Sequence, residues 1–213
     1  MTYRFEYLMP LPMKEIPTGN SDIWEVQSFT FQSGKNYLVE APSGKGKTSL
    51  LSIMYGIRKD YSGSMFIDDK EAKKIRAAEW SGMRKHQLSY IFQGLELFDD
   101  LNAWDNILLK NNITHHKTNQ QISSMADRLN IGQFLKKKCG LLSYGQRQRV
   151  AIIRALCQPF DFLFADECFS HIDRATSEVA MELIREECQS REAGLILTSL
   201  GNGQHQMDLT LSL

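Results

Sequence analysis

Residues 41–48 read Ala41-Pro-Ser-Gly-Lys-Gly-Lys-Thr48. They fit the pattern G-x-x-x-x-G-K-[ST] except that Ala41 stands in the first glycine position. Such a loop, between a strand and a helix, wraps phosphates with backbone N–H groups. Gly44 and Gly46 supply backbone freedom, Lys47 reaches the β- and γ-phosphates of a nucleotide, and Thr48 ligates Mg²⁺. The candidate nucleotide contacts are therefore Ser43, Gly44, Lys45, Gly46, Lys47, Thr48 and Ser49. Ala41 matters only if its position demands a positive φ.

A second string, Phe162-Leu-Phe-Ala-Asp166-Glu167, is an apolar strand ending in two carboxylates. Alone it reads as a strand leaving for solvent. Beside a phosphate loop at the same sheet edge, Asp166 is placed for Mg²⁺, through water, and Glu167 for polarising an attacking water. A third, Leu142-Ser-Tyr-Gly-Gln146, opens a helical pattern. Ser143 with Gln146 three residues on is a capping box, and such a helix start also offers N–H groups and a positive dipole end to an anion. A fourth, Tyr90-Ile-Phe-Gln93, is an apolar strand that delivers one glutamine.

Several elements must position these groups. Alternation predicts antiparallel strands at Tyr3–Leu8 and Asp22–Phe31, separated by the breaker-rich stretch from Met9 to Asn20. Further strands are predicted at Tyr37–Glu40, Ser62–Ile67, Leu88–Phe92, Asp161–Ala165, Gly194–Thr198 and Asp208–Leu213. Helices are predicted from Lys47 to Tyr55 and from Asp173 to Cys188. Ala103 to Arg154 reads as mostly helical, with breaks at Asn111–Asn112 and Cys139-Gly140. Strands alternating with helices imply a parallel, helix-covered sheet.

The chain has 213 residues, with 25 Lys+Arg against 25 Asp+Glu. That balance leaves no basic footprint for nucleic acid, so no nucleic-acid partner is expected. The longest apolar stretches, such as Leu195–Leu200, are too short to cross a bilayer. Glu6 and Pro10 interrupt the start where a secretory leader needs an apolar run, so none is expected. Cys139, Cys157, Cys168 and Cys188 form no C-x-x-C pair and read as reduced thiols in a cytosolic protein.

Leu142-Ser-Tyr-Gly-Gln146 resembles the L-S-G-G-Q signature of the ATP-binding cassette (ABC) family, with Tyr144 in place of the first glycine. Gln93 resembles that family's Q-loop glutamine, Leu101–Ile107 its "LTAxENV" string, and Ser170-His-Ile-Asp173 its D-loop, which crosses the dimer interface. The resemblance covers nearly the whole chain, and the stretch around Met83 to Ile107 looks most like the group that includes lipoprotein-release, macrolide-export and cell-division ATPases. It implies one domain over residues 1–213: a RecA-like α/β core, an antiparallel lobe (about 1–40 and 60–70) and a helical lobe (about 95–150).

The resemblance also implies an ATPase that uses ATP and Mg²⁺. Thr48, Gln93 and Asp166 would hold the metal, and Ser143, Gly145 and Gln146 would close over the ATP of a second subunit, in a homodimer. The other implied partner is a separate integral membrane permease, contacted through the Q-loop and helical lobe on the cytoplasmic face of the inner membrane. Two rivals remain open: a soluble assembly ATPase such as the iron–sulfur cluster type, and a hydrolysis-poor binding subunit. Chromosome-maintenance relatives carry a long coiled coil, and no heptad run occurs here.

Two positions depart from the family pattern. Ser199 occupies the place of a histidine that contacts the γ-phosphate. Losing one such donor costs about 10²–10³ in rate, so slow hydrolysis is expected, or compensation by His171 or His205. The stretch from Met9 to Asn20 also lacks the aromatic that packs on adenine, which leaves Tyr7, Leu11 or Met13 as candidates. Of these, Tyr7 reads more simply as a strand residue alternating with Tyr3 and Phe5.

Overall fold

The computed structural model describes residues 1–15, 19–201 and 206–213. Nine strands among these residues form two sheets. The first is antiparallel, in the order β2 (Phe29–Gln32), β1 (Thr2–Pro10), β4 (Tyr61–Ile67) and β5 (Lys70–Glu71). The second is parallel throughout, in the order β6 (Leu88–Ile91), β7 (Phe162–Asp166), β8 (Gly194–Ser199), β3 (Asn36–Glu40) and β9 (Leu209–Ser212). Asn36–Glu40 thus belongs to the parallel sheet, beyond the antiparallel lobe in which the sequence grouping had put it. Asp22–Ser28 is irregular, and of the predicted strand Asp22–Phe31 only Phe29–Phe31 pairs with β1, the pairing running on to Gln32.

Side chains alternate across β7 and divide the core in two. Phe162 and Phe164 face the antiparallel sheet, where the Tyr3 ring meets them edge-on at 5.3 and 6.0 Å. Helix α1 (Lys47–Met54) fills the same layer with Leu50, Leu51, Ile53 and Met54. Leu163 and Ala165 face the other way, onto α5 (Tyr144–Leu156) and α6 (Arg174–Gln189). A strand buried on both faces is what a helix-covered parallel sheet requires.

Between β6 and α5 lie α3 (Ala103–Thr114), α4 (Asn119–Arg128) and two 3₁₀ turns. Asn106 is fully buried and ties this lobe together, donating to the carbonyls of Phe98 and Asn102 and to the Cys139 sulfur. The predicted break at Asn111–Asn112 does not occur. The helix runs to Thr114, and the Asn111 amide closes on the backbone of Lys117. Helix α2 (Ala77–His86) has no counterpart in the sequence expectation. All four cysteines are buried and free. Among the described residues no helix is long and apolar enough to cross a membrane.

Ladder register sets the chemistry at one edge. Glu40 pairs with Ser199, and Asp166 with Thr198, so β3, β7 and β8 end together at the carboxyl side of the sheet. Ligands of open α/β sheets bind at such an edge.

Candidate active site

The loop leaving β3 takes positive φ at Gly44 (80°) and Gly46 (94°). Ala41 is absent from the positive-φ residues, so this position has no need of the glycine freedom its pattern usually carries. Gly46 serves a second purpose. A Cβ there would lie 2.4 Å from the Met13 sulfur and 3.2 Å from the Trp24 ring, so any other residue would displace the Met13 side chain as well as strain the backbone. The Trp24 indole also donates to the Lys45 carbonyl at 3.3 Å.

Lys47 begins α1 and is 4% exposed. Its Nζ donates to the carbonyls of Ala41 (2.6 Å) and Pro42 (3.2 Å) and pairs with Glu167 Oε1 at 3.2 Å. Gln93 Nε2 donates to the other carboxylate oxygen of Glu167 at 3.3 Å. Glu167 itself holds φ 47°, a left-handed conformation that a non-glycine residue adopts at a cost of about 1–3 kcal/mol and that clusters at functional sites.

Asp166 is 1% exposed. Its carboxylate accepts from Thr198 Oγ1 at 2.7 Å and from the Tyr90 hydroxyl at 3.4 Å. Burial pushes its pKa up, and the Thr198 and Thr48 hydroxyls oppose that shift. The same burial, with the Asp166 charge, pushes the Tyr90 phenol up, so it stays a donor. Thr198 Oγ1 also accepts from the Glu167 backbone N–H at 3.2 Å, so one hydroxyl orients both acids.

A cleft opens over this group. Ser43, Gly44, Gly46, Lys47, Thr48 and Ser49 line it, and Gln93 and Glu167 face them. Pro12 and Met13 form part of its wall, which favours Met13 among the three adenine candidates. Leu11 and Tyr7 are 50% and 59% exposed and do not line it. Nor does Tyr7 continue the alternation of Tyr3 and Phe5. It takes φ 49° at a bulge between Glu6 and Met9, against Gly63. Lys45, half-buried, joins through its carbonyl to Trp24 and is not part of the cleft lining.

Ser143, the N-cap of α5, and Gly145 and Gln146 in its first turn do not line this chain's own cleft. Ser143 Oγ accepts from the Gln146 N–H, and Gln146 Oε1 accepts from the Ser143 N–H, which closes the capping box. Gly145 is a close-approach glycine, since a Cβ there would lie 2.5 Å from the His171 carbonyl oxygen. Ser199 ends β8 with its Oγ accepting from Gly201 N–H at 3.3 Å. His171 Nδ1 is engaged with Ser170 Oγ, and its ring lies 4.4 Å from that of Tyr144. His205, the other candidate to compensate for Ser199, falls outside the described residues.

Arg58 was not anticipated. Its guanidinium lines the cleft, donates to Ser49 Oγ at 2.7 Å and grips Asp60 through two bonds of 2.8 and 2.7 Å. Nothing in the local sequence marks it, because it reaches back nine residues along the chain. Among the described residues no group of three His, Cys, Asp or Glu side chains is placed to hold a metal ion. A hydroxyl, an amide and one buried carboxylate at Thr48, Gln93 and Asp166 are instead the hard oxygen donors that suit Mg²⁺ bound partly by phosphate and water.

A family model described as ABC transporter matches residues 25–170, from just before β2 to the turn after Glu167. The chain belongs to the ABC transporter family. ABC relatives include the phosphonates import ATP-binding protein PhnC of Lactiplantibacillus plantarum, 28% identical over 91% of this chain and 78% of that protein. The macrolide export ATP-binding/permease protein MacB of Shewanella sp. (strain ANA-3) is 30% identical over 78% of this chain and 26% of its own length. An uncharacterized ABC transporter ATP-binding protein of Mycobacterium bovis is 30% identical over 78% of this chain and 51% of that protein. This chain thus spans about half the length of several curated relatives it matches. The dimeric structure of a bacterial ABC transporter cassette superposes with a TM-score of 0.79 at 20% identity, covering 93% of this chain and 88% of that one. That likeness establishes the ABC cassette fold.

Proposed function

We propose that this chain is the ATP-hydrolysing subunit of an ABC transporter. One observation carries the reading. The Ala41–Thr48 loop, Lys47 and the Asp166–Glu167 pair converge at one sheet edge, with Lys47 and Glu167 in contact at 3.2 Å. A triphosphate entering the cleft competes with Glu167 for the Lys47 ammonium, and the backbone N–H groups of the loop share the remaining charge. Freed from Lys47, Glu167 orients a water and takes its proton, while Gln93 holds the second carboxylate oxygen. Thr48, Gln93 and Asp166 would hold Mg²⁺, which would supply further charge neutralisation on the phosphates.

Ser143, Gly145 and Gln146 do not line their own cleft, and on the family pattern they serve the nucleotide of a second copy, so that two chains enclose two ATP molecules. Closure on ATP and reopening after hydrolysis then bias a two-state equilibrium. The dimer drives a separate integral membrane permease at the cytoplasmic face of the cell membrane, engaged through the Gln93 loop and the α3–α4 lobe. Relatives named for import and for export both occur, so no substrate or direction is assigned.

The direct test is phosphate release from MgATP by the purified chain, alone and with solubilised membranes, together with affinity capture of its partners. Turnover and a stoichiometric polytopic membrane protein support the reading. Turnover with soluble partners alone replaces the permease with a soluble assembly complex. Tight ATP binding with no turnover in either preparation establishes the hydrolysis-poor subunit, which the serine at the end of β8 motivates.

A further inference from the structure

Helix α5 holds the loop after β6 at two points. Near its C-terminal end the buried Arg154 donates to the carbonyls of Leu95 and Glu96, which carry left-handed φ of 63° and 49°. At its first turn the Tyr144 hydroxyl donates to the Gln93 carbonyl at 2.9 Å. The same helix grips the Ser170–His171 loop. Gln148 accepts from the His171 N–H and donates to Ser170 Oγ, each at 3.1 Å. The Tyr144 ring lies against the His171 ring at 4.4 Å, inclined by 57°.

Arg154 touches one loop and Gln148 the other. Of the three side chains Tyr144 alone touches both, and it does so from the position where the family's signature has a glycine with nothing to reach out. Its hydroxyl is bonded to the backbone of the residue whose amide faces Glu167 at 3.3 Å.

We infer that Tyr144 is a positioning residue that fixes the Gln93 amide against Glu167 and ties the Gln93 loop to the Ser170–His171 loop within one chain. This rests on the ATPase reading above. Anchoring the Gln93 carbonyl limits the directions its amide can take. Removing the hydroxyl leaves phosphate-loop contacts intact, so the loss falls on the chemical step and not on nucleotide binding.

The test uses the whole chain and Tyr144→Phe, which keeps the ring on His171 and removes only the hydroxyl. Steady-state MgATP turnover is measured in the wild-type and Gln93→Ala backgrounds, with hydrogen exchange of the nucleotide-free chain as a second readout. The expected result is a kcat lower by about fivefold, the size of one net hydrogen bond, with KM within about twofold. Exchange at residues 93–97 quickens while that of residues 41–48 is unchanged. In the Gln93→Ala background the hydroxyl has nothing left to position, and its loss changes kcat no further.

An unchanged kcat in Tyr144→Phe overturns the proposal, as does an equal loss in the Gln93→Ala background. A wild-type chain without turnover contradicts the ATPase reading instead. The tether is then decided by exchange alone: faster exchange at 93–97 supports it, and unchanged exchange overturns it.

Discussion

The ammonium of Lys47 lies 3.2 Å from the carboxylate of Glu167, with only 4% and 13% of the two side chains exposed. The group proposed to hold phosphate and the group proposed to activate water neutralise each other before nucleotide arrives. Removing one partner of such a pair strands the other charge in a poorly solvated place. Lys47→Met is therefore expected to lower stability by about 3 kcal/mol in denaturant unfolding and to weaken ATP binding at least about 100-fold. Tight ATP binding by Lys47→Met, read by fluorescence titration, would place the phosphates elsewhere.

Arg58 lines the cleft with three N–H groups committed, one to Ser49 and two to Asp60. The remaining donors and the positive charge sit where an incoming polyphosphate gains from both. Arg58→Gln should raise KM for ATP about fivefold with kcat unchanged, and the penalty should shrink as salt is added. A drop in kcat at constant KM would instead put Arg58 in the chemical step.

The same pair predicts a pH dependence. Hydrogen bonding to the Arg58 guanidinium holds the Asp60 carboxyl down to about 2, against an ordinary value of 3.8. A lowered acid stabilises the fold above its unfolded pKa and loses that contribution as pH falls toward its folded one. Wild-type stability should thus carry an Asp60 component that is full above about pH 4 and fades toward pH 2. Arg58→Gln should lack it. Parallel stability–pH curves for the two proteins across that window would contradict the assignment.

Ser199 ends β8 beside Glu40 and keeps its hydroxyl on the Gly201 N–H. If its short reach limits the rate, Ser199→His should raise kcat at least about tenfold, and at most by the roughly 10²–10³ that one positioned donor is worth. An unchanged kcat means another group already fills the role. His171 is then a poor candidate within its own chain, since Ser170 and Tyr144 hold it.

Much of this site was legible in the sequence because phosphate chemistry needs fixed residue types at fixed spacing. The loop from Ala41 to Thr48, the apolar strand running into Asp166 and Glu167, and the Ser143–Gln146 box are each local patterns with one geometric solution. What escaped depends on contacts that no spacing encodes. Thr198 orients both acids from a neighbouring strand, Arg58 folds back to Ser49, and Trp24 backs the loop from a segment expected to be a strand. Helix α2 was missed because only Trp80 of its ten residues is buried, so the segment shows no apolar period. The supposed break at Asn111 failed for another reason. That side chain turns to Lys117 and leaves the helix backbone uninterrupted.

The most direct measurement is MgATP binding and phosphate release by Glu167→Gln beside the wild-type chain. The amide keeps one oxygen that can accept from Lys47, gives up the second acceptor that Gln93 meets, and cannot take a proton from water. ATP affinity should stay within about threefold of wild type, while phosphate release falls at least about 100-fold. Release within twofold of wild type would contradict the placement of catalysis at Glu167, and with it the function proposed for this sheet edge.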